Sequence, residues 1–177
     1  DSEGTYYIPW RVVHKEGSLS TPCRMVFDAS SKTPGGESLN NILAKGTNTL
    51  ANLNSKFLKF RSKPDCFAAD IRMAYNGVSL HPSHYKHQLY LWREDLDPSS
   101  PLITMVVTTV IYGVRPSGNQ LCAGLGKLAD YTVDAHPQHA AGALALKHHS
   151  YVDDVLTPCN NKEEAKSISK SLSFTLS

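Results

Sequence analysis

The sequence has few cysteines and no long apolar segment. Its 177 residues include four cysteines, none of them at the spacing of a zinc site or of a disulfide-stabilised secreted domain. A reduced, intracellular protein is the simplest expectation. The longest apolar run, around residues 105–107, is interrupted by threonines and is too short to span a membrane. The first four residues do not resemble a basic signal peptide, and the chain does not begin with Met, so we expect a fragment or a piece of a polyprotein.

Charge is distributed unevenly along the chain. The net charge is only +2, but residues 11–63 hold nine Lys and Arg against three acids, so this segment carries +6 and the remainder carries −4. The basic segment could bind phosphate groups and the acidic remainder could bind metal ions. An ordinary solvated surface is the alternative explanation of the same pattern. With 41% apolar residues, the chain has enough material for one domain with a core.

Two adjacent carboxylates interrupt an apolar stretch near the end of the chain. Asp153 and Asp154 lie within Ser-Tyr-Val-Asp-Asp-Val-Leu at residues 150–156, where the apolar flanks predict a short hairpin with the acids at its tip. Neighbouring carboxylates repel each other unless a cation lies among them, and a hard divalent ion such as Mg²⁺ binds such oxygens. An ordinary acidic turn is the alternative, because Asp is common in turns.

A third acid, Asp70, ends the apolar stretch of residues 67–70, which predicts a buried strand. An ionised carboxylate at such a position needs a partner or a metal. The alternative is a strand-end residue that caps the next turn. One acid on a strand and two on a hairpin can together hold two metal ions, which activate an attacking hydroxyl and stabilise a leaving phosphate oxygen.

The other elements are predicted from apolar spacing and capping residues. Residues 6–16 are expected to be extended, and Ser38 to cap a short helix. Strands are predicted at residues 23–28, 88–92 and 103–112, with a further strand starting at residues 174–176. Helices are predicted at residues 49–60, at 116–134 and after a capping box at residues 161–164. Because these strands and helices do not alternate strictly, an α+β fold is expected.

Five segments resemble, in the same order, the motifs of a reverse transcriptase. They are the fingers strand with its triphosphate-binding arginine (CRMVFDASSK, residues 23–32), the first catalytic motif (DIRMAY, 70–75), the strand after it (LYLW, 89–92), the loop opening the template-contacting helix (IYGVRPSG, 111–118) and the Tyr-X-Asp-Asp box (YVDD, 151–154). Residues 24–30, 38–40 and 151–156 are most similar to the BEL/Pao group of LTR retrotransposons. The resemblance covers nearly the whole chain.

The resemblance implies a fold. It predicts an α+β polymerase palm, a small antiparallel sheet backed by helices, with fingers elements and without a thumb. The chain would be one fingers and palm fragment, fingers-like over about residues 1–63 and 81–112 and palm-like over about residues 64–80 and 113–177.

The implied activity is that of an RNA-directed DNA polymerase within a retrotransposon polyprotein. The 3′-hydroxyl of a primer would attack the α-phosphate of a nucleoside triphosphate, with two Mg²⁺ or Mn²⁺ ions as cofactors. The expected partners are an RNA or DNA template-primer, deoxynucleoside triphosphates, and the thumb and RNase H of the polyprotein, with no membrane. The expected location is the cytoplasm, in a virus-like particle if the element is active.

The resemblance also assigns roles to individual residues. Catalysis is assigned to Asp70, Asp153 and Asp154, and these residues form the metal site together with Ile71. Nucleotide binding is assigned to Lys15, Arg24, Tyr75, Ser117 and Gly118. Contact with primer or template is assigned to Tyr151.

Several of these roles have plainer alternatives. Tyr75 would pack under the sugar and exclude a 2′-hydroxyl, or else it is a core aromatic. Arg24 suits phosphate because its guanidinium forms a fork of donors, whereas Lys15 is otherwise a surface lysine. Tyr151 positions the primer end or packs within the hairpin.

Two other functions stay open. A catalytically inactive nucleic-acid-binding relic is disfavoured by the presence of all three acids. The chain ends soon after the Tyr-Val-Asp-Asp hairpin, however, so a truncated fragment that holds the chemical groups but polymerises poorly stays an alternative. Another palm-type nucleotidyl transferase or cyclase is disfavoured by the cationic strand ahead of Asp70. Primer extension separates these possibilities, because a cyclase needs no template.

Overall fold

The structure, a computed structural model, has the α+β organisation that the sequence predicts. It describes residues 5–14, 16–17, 22–47, 52–95 and 97–177. Helices accompany small antiparallel sheets, one of three strands and two of two strands. The chain divides into two compact units, one made of Asp1–Gly46 with Tyr75–Ser117 and the other of Thr47–Ala74 with Gly118–Ser177.

The elements follow one another along the chain in an irregular order. The strands are β1 (Trp10–His14), β2 (Cys23–Phe27), β3 (Asp65–Asp70), β4 (Leu89–Trp92), β5 (Ile103–Val106), β6 (Ser150–Tyr151) and β7 (Asp154–Cys159). The α-helices are α1 (Leu39–Ile42), α2 (Leu53–Phe60), α3 (Ser117–Ala135), α4 (Ala140–His149) and α5 (Lys162–Thr175). Short 3₁₀ helices lie at Ala74–Gly77, Pro82–His87 and Pro137–His139.

The first unit contains two antiparallel strand pairs, β1 with β2 and β4 with β5. Ser38 caps α1 as predicted, since its side chain accepts a hydrogen bond from the Asn41 N–H. The hydrophobic core of this unit consists of Ile8, Ala29, Leu39, Ile111 and Val114.

The second unit is built around the three-stranded sheet β3-β7-β6, in which both pairings are antiparallel. The central strand β7 is contacted by α2, α4 and α5. Helices α4 and α5 cross so closely at Gly142 that a Cβ there would overlap the backbone of Ser171 and Leu172. Glycine is therefore the residue that this crossing requires.

The structure corrects two predicted elements. Strand β5 ends at Val106 instead of Tyr112, because the chain then changes partner: Thr109 forms a bridge with Ser79, and the Val110 N–H donates to the Val78 carbonyl. Residues 174–176 do not start a strand, since α5 continues through Thr175, whose side chain is buried with the same helix face. An alternation of only three residues fits a helix end as well as a strand.

The bounds of the two units also differ from those of the expected fingers-like and palm-like segments. Helix α2 belongs to the second unit through its contacts with β7, and residues 75–80 belong to the first. Within the described residues, no helix combines the length and the apolar character needed to cross a membrane.

Candidate functional site

The hairpin predicted at the Tyr-Val-Asp-Asp sequence is present, with the acids at its tip. Tyr151 of β6 pairs with Asp154 of β7, and Val152 and Asp153 form the two-residue loop between them. Val152 has a φ of 57°, whereas Asp153 has a negative φ, a combination found in type II′ turns. Glycine is usual at the first position of that turn, and a left-handed conformation costs other residues about 1–2 kcal/mol.

The three acids meet in the second unit: Asp70 ends β3, Asp154 begins β7 and Asp153 lies in the turn before it. In the β3–β7 register Asp70 lies opposite Asp154, and the Ile71 N–H donates to the Asp153 carbonyl at 2.8 Å. Since residues 71 and 153 form a hydrogen-bonded pair, residues 70 and 154 form a non-hydrogen-bonded pair, in which side chains approach most closely. The Cβ atoms of such a pair lie about 4.5–5.5 Å apart. Asp70 and Asp154 therefore share one face of the sheet at short range.

This face is the solvent side of the sheet. Along β3, Asp70, Ala68 and Cys66 are exposed and alternate with half-buried residues, whereas Val155 and Thr157 of β7 are buried on the opposite face. The prediction of a buried strand before Asp70 is therefore correct for one face only. Because Tyr151 is opposite Asp154, which is opposite Asp70, the three side chains form a row across the sheet.

The arrangement concentrates negative charge without a neutralising side chain. No ion pair joins a Lys or Arg to Asp70, Asp153 or Asp154 within the described parts of the chain. Like charges placed directly opposite in a sheet are destabilising. In the described residues no three His, Cys, Asp or Glu side chains are arranged to hold a metal ion. The acids thus offer hard oxygen donors on one sheet edge, but their side chains do not close around a common point.

Ile71 differs from the acids, because it offers only its backbone. Its side chain is buried and its carbonyl accepts a hydrogen bond from the Ala74 N–H at 3.2 Å. A carbonyl oxygen has two lone pairs, so one of them is still available for a second partner.

Lys56 and Cys122 support the hairpin, and the sequence analysis did not identify either residue. Lys56 of α2 is 9% exposed, and its Nζ donates to the His148 carbonyl at the end of α4, 2.6 Å away. Burial, and then repulsion by Lys59, lowers the pKa of Lys56. Burial raises the pKa of the Cys122 thiol on α3, whereas Lys56 and the backbone N–H of Val152, the residue with positive φ, act in the opposite direction. No spacing in the sequence indicates either contact, because the partners are distant in the sequence.

His149 lies immediately before the hairpin and is half-buried. Within the described residues, its Nδ1 is buried without a hydrogen-bond partner. Burial lowers the pKa of the His149 imidazole, and the nearby positive charges, of which Lys56 has the largest effect, lower it further. Burial and these charges thus favour the neutral form of the His149 imidazole.

The nucleotide-binding candidates of the first unit differ in exposure. Arg24, on β2, is exposed, whereas Lys15 lies outside the described residues. Tyr75 is buried, and its ring centroid is 4.0 Å from that of Tyr112. Ser117 is 3% exposed, and its buried Oγ has no hydrogen-bond partner in the described part of the chain.

Gly118, the remaining nucleotide-binding candidate, belongs to the second unit. A Cβ added at Gly118 would meet no atom within 4 Å. Packing among the described residues therefore does not explain the glycine.

Asn40 is a further residue whose role the sequence did not indicate, although it lies in the Ser-Leu-Asn stretch of the resemblance. Its Nδ2 donates to the Gly113 carbonyl at 2.8 Å, and its Oδ1 accepts from the Arg115 N–H at 2.8 Å. The Gly113 backbone has a φ of 83°, and a Cβ there would lie 3.3 Å from the Phe27 carbonyl oxygen. Asn40 therefore fixes the loop that precedes α3.

No protein-family model matches the chain. A search of the curated proteins found no match either.

Proposed function

We propose that the chain is the fingers and palm part of a reverse transcriptase of the BEL/Pao type. Its activity in this proposal is template-directed DNA synthesis by two-metal nucleotidyl transfer. The observation that carries the proposal is the register of β3 and β7, which sets Asp70 opposite Asp154 beside the turn that holds Asp153. Such a concentration of unpaired carboxylates is costly in an ordinary turn, but it is useful to a cation-dependent site.

The donor set fits the proposed cofactors in its chemistry. Carboxylates of Asp70, Asp153 and Asp154, with the Ile71 carbonyl, are hard oxygen ligands of the kind that Mg²⁺ and Mn²⁺ prefer. When bound, such ions lower the pKa of a hydroxyl and neutralise charge on a phosphate. Rotation of the aspartate side chains would bring their oxygens together, while the hydrogen bond from Ile71 to Asp153 keeps the two backbones in register.

Other residues of the chain would select and orient the substrates. Arg24 is exposed and would pair its guanidinium with triphosphate oxygens, a contact independent of the base. Tyr75 would exclude a 2′-hydroxyl by its size, since packing against Tyr112 restricts its ring. Tyr151, in the same row as Asp154, would contact the primer end. Lys15, Ser117 and Gly118 are the weaker nucleotide contacts of this proposal.

The partners in this proposal are a template-primer, deoxynucleoside triphosphates, and the thumb and RNase H of a retrotransposon polyprotein. The resemblance of the ordered motifs supports these partners and a cytoplasmic location.

The experiment is primer extension on an RNA template, combined with Mn²⁺ binding followed by electron paramagnetic resonance. Asp70→Asn and Asp153→Asn keep the side-chain shape but remove the charge. Asp65→Asn is the matched control, because Asp65 is on the same strand opposite Cys159 and away from the other acids. We expect the first two variants to lose Mn²⁺ binding and extension, and the control to keep both.

Four outcomes would contradict the proposal. Equal Mn²⁺ binding by all variants would show that Asp70 and Asp153 do not form a metal site. Primer extension by Asp153→Asn would show that Asp153 is not catalytic. Binding of template-primer and Mn²⁺ without extension by the unaltered chain would identify a nucleic-acid-binding relic. Conversion of a nucleoside triphosphate without a template would identify a cyclase instead.

A further inference from the structure

A thiol and an imidazole face each other at the end of the β1–β2 pair where residues 15–22 connect the two strands. His14 and Cys23 are cross-strand partners, and the Sγ of Cys23 lies 3.2 Å from the Nδ1 of His14. Both residues are exposed. A nucleophile within hydrogen-bond distance of a base is the arrangement on which thiol chemistry depends. The proposed polymerase reaction uses neither side chain.

The other three cysteines lack this combination of exposure and a neighbouring base. Cys66 is exposed, but no imidazole within the described residues forms a hydrogen bond with it. Cys122 is half-buried and Cys159 fully buried, and burial raises the pKa of both thiols, which lowers their reactivity. Cys23 is therefore the thiol that the structure favours for reaction, and Cys66 is its natural reference.

A metal site is the other chemistry open to a Cys–His pair, and it needs further ligands. Structural zinc sites use four protein ligands and catalytic ones three. In the described parts of the chain, no third His, Cys, Asp or Glu joins His14 and Cys23 in such a group. The pair is thus better suited to nucleophilic chemistry at sulfur.

We propose that Cys23 is a site of reversible modification by small disulfides such as oxidised glutathione, with His14 as its base. The thiol proton passes to Nδ1 of His14 as the Cys23 sulfur attacks one sulfur of the disulfide. A new S–S bond forms, the original S–S bond breaks, and the departing glutathione thiolate takes the proton from His14. Cys23 is oxidised, one glutathione is reduced, and excess thiol reverses the reaction.

This site is separate from the nucleotide contact proposed for the next residue. Successive side chains of a strand point to opposite faces, so Cys23 and Arg24 project in opposite directions. A glutathione adduct on Cys23 would extend from the face that carries His14, its partner across the strand pair. The modification can therefore be tested whether or not the chain is a polymerase.

The test measures modification rates at each cysteine of the 177-residue chain. The protein is incubated with oxidised glutathione near neutral pH, and the adducts are quantified by peptide mass spectrometry over time. The variants are His14→Gln, which keeps a polar side chain but cannot take up the proton, and Cys23→Ser, which verifies the assigned peptide. In each sample, the modification rate of Cys66 is the internal control for correct folding and for the activity of the reagent.

We expect Cys23 to react faster than Cys66 in the unaltered chain. His14→Gln should slow Cys23 about tenfold, within the limit set by the few per cent of a free thiol that is ionised at neutral pH. The Cys66 rate should not change. At a pH near 10, where free thiols ionise without a base, Cys23 of the variant and of the unaltered chain should react alike.

Three results would overturn the proposal. The first is a Cys23 rate no higher than that of Cys66. The second is a Cys23 rate that His14→Gln leaves unchanged at neutral pH. The third is a deficit in His14→Gln that persists at a pH near 10, since this would show that His14 acts on the shape of the strand end and not on the proton.

Discussion

Asp70 of β3 lies directly opposite Asp154 of β7 in a non-hydrogen-bonded pair, so two carboxylates face each other where antiparallel strands bring side chains closest. Within the described residues, neither forms an ion pair with a Lys or Arg. The sheet therefore carries an electrostatic cost at its edge that a bound divalent cation would remove.

The first prediction concerns this cost. In the absence of divalent ions, Asp154→Asn should raise the free energy of unfolding by roughly 0.2–1 kcal/mol, the range for cross-strand charge pairs. In millimolar Mg²⁺ this advantage should shrink or reverse, because the ion stabilises the unaltered protein by binding its folded state. Urea denaturation with and without Mg²⁺ measures both effects. Asp65→Asn, on the same strand, should show neither, and an equal response of the two variants to Mg²⁺ would contradict the prediction.

The second prediction concerns the strained turn beside these acids. Val152 has a φ of 57°, and Val152→Gly should stabilise the protein by about 1 kcal/mol, because glycine adopts this conformation without steric cost. The same change at Val12, an exposed residue of β1 with extended backbone, should instead destabilise by roughly 0.5–1 kcal/mol. Thermal unfolding of both variants gives the comparison. A loss of stability in both would show that the turn carries no strain.

Local signals account for the parts of the site that the sequence predicted. The hairpin follows from apolar flanks around a pair of turn-forming acids, and β3 from an apolar run that ends in Asp70. The start of α3 at Ser117 follows from the proline before it. Each of these signals depends on neighbours within a few residues, which is the range over which sequence patterns are informative.

The supports of the site could not be predicted, because they join distant parts of the chain. The bond from Lys56 to His148, and the approach of Cys122 to the Val152 backbone, depend on where helices α2, α3 and α4 place these residues. Neither a lysine on an amphipathic helix nor a cysteine within α3 has a sequence signature that distinguishes it from a surface or core residue. The role of Asn40 was missed for the same reason, since its partner at Gly113 lies in a remote loop.

The third prediction is a dependence of stability on pH that comes from His149. Its pKa is lowered in the folded state from the ordinary value of 6.5, chiefly by burial. As the pH falls below 6.5, His149 takes up a proton in the unfolded chain at a higher pH than in the folded chain. Acidification therefore favours unfolding. The free energy of unfolding should therefore be level above pH 6.5 and should fall as the pH drops below it.

Paired variants separate this effect from other titrations. His149→Gln should flatten the dependence on pH just below 6.5, whereas His148→Gln, at the exposed neighbouring position, should largely keep it. Lys56→Met should weaken it, because Lys56 is the largest of the charges that lower the pKa of His149. A slope that persists unchanged in His149→Gln would assign the acid sensitivity to another group.

The last prediction compares two glycine-to-alanine changes in helices of the second unit. A Cβ at Gly142 of α4 would overlap the backbone of Ser171 and Leu172 in α5, and backbone atoms cannot yield as a flexible side chain does. A Cβ at Gly126 of α3 would meet nothing within 4 Å. Gly142→Ala should cost about 3 kcal/mol, the upper part of the usual range for overpacking. Gly126→Ala should instead stabilise by about 0.5–1 kcal/mol through helix propensity.

Urea denaturation of the two variants tests this directly, because the chemical change is identical and only the surroundings differ. The added Cβ at Gly142 would meet only α5 among its three nearest atoms and that at Gly126 would meet nothing within 4 Å, so the double variant should show the sum of the two effects. Helix α4 leads directly into β6, so a disturbed α4–α5 crossing should also displace the acidic hairpin. Gly142→Ala should therefore weaken Mn²⁺ binding, whereas Gly126→Ala should not. A neutral Gly142→Ala would show that the two helices can separate at little cost, and that the position of the hairpin is set by β3 and β7 alone.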